Sequence, residues 1–448
     1  MVNSTAKGGG VAEMLPKMVT LLEELGLSTR WVVMGSDESE FFSLTKRIHN
    51  LIHGEGDPHL TEEDRRLFES VSDENAEELK GHLKPQDILI IHDPQPLAMG
   101  PKLKKEAGVL TIWRCHIGLD ENLPATRTAW NFLRPYAENY DHAVFSAPEY
   151  IPDYLAGYST IIHPALDPES HKNRVLSAHK LVGILCNAGL KLERHQVLTP
   201  PFTKLAQRLR PDGSFTSATD WHEIGLLYSP IVTQVSRWDR LKGFPNVLNG
   251  FIKLKKCLGN RHAIQDERHR RCLEIVRLVL AGPDPALIQD DPEGQEVLQE
   301  LVDMYKTLAP EYQESIAILT LPIDSRKENA LMVNALQRCS TVVAQNSIRE
   351  GFGLTATEGM WKRVPVVGTR ACGLRQQIRS GIDGLLIMDA NDPDELAEAL
   401  DTLLKDPVKR DLMARSAQRR VHDEFLIFTQ LRQWLRLLAE CVTMPLRS

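Results

Sequence analysis

Short apolar runs alternate with longer amphipathic segments along nearly the whole chain, and this alternation narrows the possible folds more than any other feature. Asp87-Ile88-Leu89-Ile90-Ile91 is a continuous apolar run, as a strand covered on both faces requires. Val109 to Trp113 and Ala143 to Ser146 read the same way, and Trp31 to Met34 as a shorter strand. Between them, Val11, Leu15, Met18, Leu22 and Leu25 share one helical face that Gly26 stops, and Phe41, Leu44, Ile48 and Leu51 share another. Residues 126–139 and 172–190 are helical by pattern. A second series starts at Ile231 to Ser236 and predicts strands at 275–281, 316–320, 341–345, 364–367 and 384–388, with helices between. Such alternation predicts α/β architecture with parallel, doubly wound sheets.

At 448 residues the chain exceeds one ordinary core. The domain boundary is expected near 226–232, giving a first domain over 1–228 and a second over 229–424. Phe425 to Cys441 is amphipathic with no strand after it, so the segment 425–448 is expected to return to the first domain. Residues 190–226 read as a long irregular excursion, a kind of loop that tends to be functional. Two doubly wound domains bind ligands in a cleft at the carboxyl ends of their strands, so candidate residues are judged by whether they fall there.

One segment concentrates such residues. Ser347-Ile348-Arg349-Glu350-Gly351-Phe352-Gly353-Leu354-Thr355-Ala356-Thr357-Glu358 follows a buried strand and leads into a helix. A glycine turn entering a helix N-terminus favours an anion, because unpaired N–H groups and the helix dipole converge there. A carboxylate at its lip would repel a bare phosphate, so Glu350 suits hydroxyl groups. Phosphate plus hydroxyls suggests a sugar nucleotide. Thr355 to Glu358 also fits a capping box, in which Glu358 merely reaches back to the helix start.

Four further motifs sit at strand ends or glycine turns. Arg237 and Lys242 follow the first strand of the second series. They suit a diphosphate, each charge-assisted contact being worth about 1.5–3 kcal/mol; a solvated basic loop is the alternative. Lys7-Gly8-Gly9-Gly10 would let backbone approach a ligand, or would be a plain tail. His116, closing Trp113-Arg114-Cys115-His116, is a sugar contact or a structural histidine. Asp93, in His92-Asp93-Pro94-Gln95-Pro96, binds acceptor hydroxyls or starts a turn. Asp392-Pro393-Asp394 has the spacing of a divalent-ion site, yet Asp392 before Pro393 is a natural helix N-cap, and no metal is predicted.

Bulk properties exclude several classes. A net charge of −7 argues against general nucleic-acid binding and against an anionic membrane surface. No apolar run reaches the roughly 18 residues of a membrane span, and no signal peptide is evident. The seven cysteines are odd in number and lack CxxC spacing, which reads as reduced thiols in a cytoplasmic protein.

Together these residues resemble the retaining family 4 glycosyltransferases of the two-domain GT-B type, whose Glu-x7-Glu hallmark Glu350 and Glu358 match. Within that class, Val2-Asn3-Ser4-Thr5 with Gly8 to Glu13, His92 to Leu97, Trp113 to Ile117, Asp291-Pro292-Glu293-Gly294 and Ser347 to Thr355 look like the glycosyltransferring trehalose synthase family; retaining trehalose phosphorylases share much of the pattern. The resemblance implies two Rossmann-like domains facing across a cleft and reversible transfer of glucose from ADP- or UDP-glucose to glucose. It implies Arg237 and Lys242 on the diphosphate, and Glu350 with the backbone of Gly351, Phe352, Gly353 and Leu354 on the glucosyl group. Glu358 would hold ribose, His116 the donor sugar, Gly9 and Gly10 the loop beside the phosphates, and Asp93 the acceptor. It implies no cofactor, only small-molecule sugar and nucleotide-sugar partners, and leaves room for a homodimer. A phosphorylase, a transferase with another small acceptor, and a silent nucleotide-sugar sensor are the rival readings. Against the family pattern, most of the first strand is expected to be missing, and residues 168–228 are longer than a compact linker.

Overall fold

The computed structural model describes residues 1–5, 9–36, 38–191, 202–218, 223–256, 266–287 and 292–443. The chain divides into two compact units, Met1–Ala165 with Ile427–Ser448, and Leu166–Leu426.

The first unit holds a six-stranded sheet of β1 (Val2–Asn3), β2 (Val32–Val33), β3 (Ile88–His92), β4 (Leu110–Arg114), β5 (His142–Phe145) and β6 (Ser159–Ile161). Its order is β2-β1-β3-β4-β5-β6 and every pairing is parallel. The first strand, expected to be mostly missing, forms over two residues, with Val2 opposite both Val32 and Ile91. Parallel neighbours need crossovers, and the helices Gly9–Glu24, Ser39–Ile52, Glu62–Lys80, Met99–Ala107 and Pro124–Ala137 supply them. Ile90, Ile112 and Val144 lie against Met18 and Leu22 of the first helix and against Ile427, Leu431, Trp434 and Leu437 of the helix Ile427–Thr443. The last helix therefore completes the core of the first unit. Phe41, Phe68 and Phe132 form a separate run of ring contacts in the same unit, with centroids 6.3 and 5.5 Å apart.

The second unit holds β7 (Gln207–Leu209), β8 (Phe215–Ser217), β9 (Ile231–Val235), β10 (Arg277–Pro283), β11 (Ile316–Leu321), β12 (Val342–Gln345), β13 (Val366–Thr369) and β14 (Gly384–Ile387). Their order is β14-β13-β12-β9-β10-β11-β7-β8. The strands expected in the second series all form, with ends shifted slightly. β9 and β11 are buried throughout, as continuous apolar runs demand.

Two expectations are corrected. The boundary falls at Ala165/Leu166, not near 226–232. The reason lies in the excursion 190–226, whose described part pairs β7 antiparallel with β11 and closes the hairpin β7–β8 at the edge of the second sheet. Arg208 anchors it, buried at 1% exposure and donating to the carbonyl of Ile316 at 3.2 Å. The helix expected over 172–190 is shortened to Ala178–Asn187. The carbonyls of His171, Asn173 and Arg174 instead accept from the side chains of Asn334, Arg338 and Trp361, which holds 171–174 as a strap.

Trp434 is 4% exposed within the first unit's core. Trp434→Ala is expected to destabilise that unit by about 3–5 kcal/mol, read as a lower midpoint in chemical denaturation.

Candidate active site

The order of the second sheet reverses at β9: β10 follows on one side, and β12, reached later, lies on the other. Such a switch point opens a crevice at the strand ends. The loop after β9 carries Arg237 and Lys242, and the loop after β12 carries Glu350.

The two loops are laced together. Gln234, the fourth residue of β9, donates from Nε2 to the carbonyl of Lys242 at 2.8 Å and accepts from the amide of Asn346 at 3.0 Å. The Ile348 amide donates to the carbonyl of Leu241 at 2.7 Å. Gly243 ends a 3₁₀ turn over Arg240–Lys242 with φ +60°, and a Cβ there would meet the Asn346 carbonyl oxygen at 2.4 Å. Only glycine allows so close an approach. The lacing brings Lys242 Nζ to 2.7 Å from Glu350 Oε2, with the two side chains 17% and 10% exposed. The same oxygen accepts from Ser347 Oγ at 2.9 Å and Gln345 Nε2 at 3.3 Å. Three donors therefore fix the orientation of one carboxylate.

Past Glu350 the chain turns through Gly351, where a Cβ would meet open space, and Gly353, where φ is +87° and a Cβ would lie 2.9 Å from Glu350 Cγ. The Phe352 side chain points into the core, 5.7 Å from the ring of Phe425, so only its backbone can serve a ligand. Gly353 is the N-cap of the helix Leu354–Trp361 and provides no side-chain cap. Glu358 lies in the second turn, beyond the reach of a capping box, which removes that reading. Its carboxylate accepts from Gln337 Nε2 at 3.3 Å, and Lys172 Nζ stands 3.8 Å away. Lys362 donates to the Glu358 carbonyl at 3.3 Å and to Asn173 Oδ1 at 3.1 Å, and burial pushes its pKa down to about 7.

Arg237 is not drawn into this group. Its side chain is 74% exposed, with Asp239 3.8 Å away, an exposed pair of little energetic consequence. Asp392 caps the helix Pro393–Lys405, accepting from the amides of Asp394 and Glu395 at 2.8 and 3.2 Å. Among the described residues no three His, Cys, Asp or Glu side chains gather as metal ligands.

The first sheet has its own switch point at β1, between β2 and β3. Gly9 and Gly10 open the helix Gly9–Glu24 after β1, while Lys7 and Gly8 lie outside the described residues. At the ends of β3 and β4 the structure gathers His92, Asp93, Arg114 and His116. His92 Nδ1 is 3.1 Å from His116 Nε2, and the rings stack with centroids 5.4 Å apart. Asp93 has φ +63°, and its Oδ1 accepts from the His116 amide at 2.9 Å, so part of this carboxylate is committed to holding the β4 loop. Burial raises the Asp93 pKa to about 6, against the pull of the His116 amide and Arg114. Arg114, fully buried, is lowered to about 10 and stays charged at neutral pH. Burial, reinforced by Arg114, holds both imidazoles well below the usual histidine range.

Sequence reasoning assigned no role to Gln234, Gln345, Asn346, Ser347, His92 or Arg114, although Ser347, His92 and Arg114 stand inside its motifs. The polar run Gln345-Asn346-Ser347, abruptly ending an apolar strand, was an available signal. Gln234 and Arg114 sit inside strands, where nothing local shows what they serve.

The family description "Trehalose synthase, N-terminal domain" matches residues 1–152, and "Glycosyl transferases group 1" matches residues 226–420. The trehalose synthase of Pyrococcus horikoshii is 34% identical over 98% of this chain and 88% of its own length. That of Rubrobacter xylanophilus is 34% identical over 98% and 89%. A trehalose phosphorylase of Pleurotus pulmonarius is 27% identical over 97% of this chain but only 56% of its own. Among solved structures, an α,α-trehalose-phosphate synthase (UDP-forming) from Burkholderia vietnamiensis superposes with TM-score 0.68 at 14% identity, covering 98% of both chains. Anabaena HepE in complex with UDP-glucose gives 0.61 at 15%, again over 98% of both. These structural likenesses establish the GT-B fold. No described helix is long and apolar enough to cross a membrane.

The neutral histidine pair fixes the sign of a pH effect. Below about pH 6.5 the unfolded chain binds protons at both rings that the folded unit refuses. Their stability is therefore complete above that pH and lost as pH falls. Asp93 runs the other way: its contribution is present below its ordinary 3.8 and lost as pH rises through about 6. Two rings outweigh one carboxyl, so the thermal midpoint is expected to fall from pH 7 to pH 5, and His92→Gln to flatten that slope.

Proposed function

The chain belongs to the trehalose synthase family of GT-B glycosyltransferases, and from that premise we propose that it moves glucose reversibly from ADP- or UDP-glucose to glucose, giving α,α-trehalose with retention. One observation carries this reading: Lys242 and Glu350 meet at 2.7 Å at the switch point of the second sheet, beside a glycine-capped helix N-terminus. A cation and a helix N-terminus suit the diphosphate, and a carboxylate already oriented by three donors suits the glucosyl hydroxyls. Glu358, steadied by Gln337 and Lys172, is assigned to the ribose hydroxyls. Arg237, exposed on the loop after β9, is assigned to the diphosphate with Lys242. Asp93 keeps part of its carboxylate for an acceptor hydroxyl, His116 contacts the donor sugar, and Gly9 and Gly10 lie beside the phosphates.

In the reaction, the bond from the anomeric carbon to the diphosphate oxygen breaks and an acceptor hydroxyl oxygen bonds to that carbon on the same face. The hydroxyl proton passes to the departing phosphate oxygen. Lys242 and the helix N-terminus stabilise the developing negative charge, commonly the largest catalytic term. A double displacement needs a carboxylate close to the anomeric carbon, and in this scheme none takes that place, Glu350 being assigned to the glucosyl hydroxyls. Metal and organic cofactors have no part in this scheme, nor have nucleic acid or membrane partners. The reaction is assigned to the cytoplasm.

Incubation with glucose and each of ADP-, UDP- and GDP-glucose is expected to give a non-reducing α,α-linked disaccharide from at least one donor, unchanged by a chelator. Thermal stabilisation by phosphate plus trehalose, with no effect of UDP or ADP, would favour a phosphorylase instead. Lys242→Ala is expected to lower kcat by roughly 10- to 150-fold, the weight of one charge-assisted hydrogen bond, and to lower the thermal midpoint as well, because the nearly buried Glu350 carboxylate loses its cation; near wild-type turnover in the folded variant would remove Lys242 from the diphosphate.

A further inference from the structure

His92 and His116 meet nitrogen to nitrogen, so one ring must donate and the other accept. Both are neutral, because burial and the nearby Arg114 charge disfavour the imidazolium. Two arrangements remain. If His116 donates from Nε2, His92 must carry its own proton on Nε2. That atom is buried, in a side chain 2% exposed, and has no partner among the described residues. If His92 donates from Nδ1, its Nε2 is a bare lone pair. An orphaned buried N–H is the rarer and costlier defect. Arg114, buried in the same cluster with its own Nη1 unpartnered, adds positive charge that favours a lone pair over an N–H dipole. The second arrangement leaves His116 protonated on Nδ1, and its ring makes no other hydrogen bond among the described residues.

We propose that His92 is a positioning residue that holds His116 as its Nδ1–H tautomer, so that His116 meets the substrate as a hydrogen-bond donor to a sugar hydroxyl oxygen. This rests on the reading of His116 as a donor-sugar contact. The ring nitrogen facing His92 is occupied as an acceptor and the other already carries a proton. His116 is thereby removed as a general base, which agrees with the acceptor proton passing to the departing phosphate oxygen.

The tautomer is read without any substrate. Long-range ¹H–¹⁵N spectra of the full chain labelled on histidine, with His116 assigned by its loss in H116Q, are expected to show the Nδ1–H form in the wild type. In H92L, which keeps bulk but no donor, His116 is expected to become a mixture or to move to Nε2–H. Asparagine places an amide N–H near the Nδ1 position, so H92N is expected to retain the wild-type tautomer. With glucose and the productive nucleotide sugar, H92L is expected to lose roughly tenfold in kcat, one hydrogen bond's worth, while H92N stays within about threefold. An Nε2–H wild type, an unchanged His116 in H92L, or equal losses in H92L and H92N would each overturn the proposal. If H92L does not fold, the wild-type and H92N spectra still decide. A wild type with the expected tautomer but no glucose transfer would support the assignment and count against the functional reading alone.

Discussion

The contact between Lys242 and Glu350 is where the second unit's architecture becomes chemistry. A nearly buried ion pair is costly to desolvate unless further hydrogen bonds complete it. Ser347 and Gln345 complete it, and the Gln234–Asn346 lacing holds the two loops at the separation it needs. Gly243 and Gly353 follow from the same requirement, because a side chain at either position would collide with the opposite loop or with Glu350 itself. The strand order matters for the same reason. Only where β9 and β12 are neighbours and their onward connections diverge can two loops so far apart in sequence be adjacent without a helix between them.

The first unit solves a different problem. It brings a carboxyl, a guanidinium and two imidazoles to the ends of β3 and β4 and leaves them largely dehydrated. Burial is the largest influence on each group: it keeps the imidazoles neutral, while the guanidinium, lowered only to about 10, stays charged against it. Asp93 takes a left-handed backbone conformation and uses its carboxylate to brace the loop that carries His116. A residue read from sequence as either turn former or ligand is a brace here, and the bracing does not exclude the other role.

Much of this was legible beforehand. The apolar runs of β9 to β13 were placed well because a strand buried on both faces has few compositional options. Glu350, Lys242 and Gly353 stood out because charge and glycine at a strand end are unusual. The short strands β7 and β8 were invisible, since three residues carry no periodicity and the pairing of β7 with β11, on which the hairpin rests, is set by contacts roughly a hundred residues away. The strap at 171–174 was misread as helix because its backbone partners are side chains from distant helices. Gln234 was missed because a glutamine inside an apolar strand looks like an interruption until the amide it serves is known.

The sequence by itself determined the α/β class, the two-sheet plan and the residue types of the candidate site, because periodicity, glycine placement and strand-end charge are local properties. Only the tertiary structure decided that Glu358 is not a capping residue, that Arg237 stands apart from Lys242, that the unit boundary lies at Ala165/Leu166, and that His92 faces His116. Each of those depends on which distant backbone or side chain arrives at a strand end, and that is fixed by sheet order and packing.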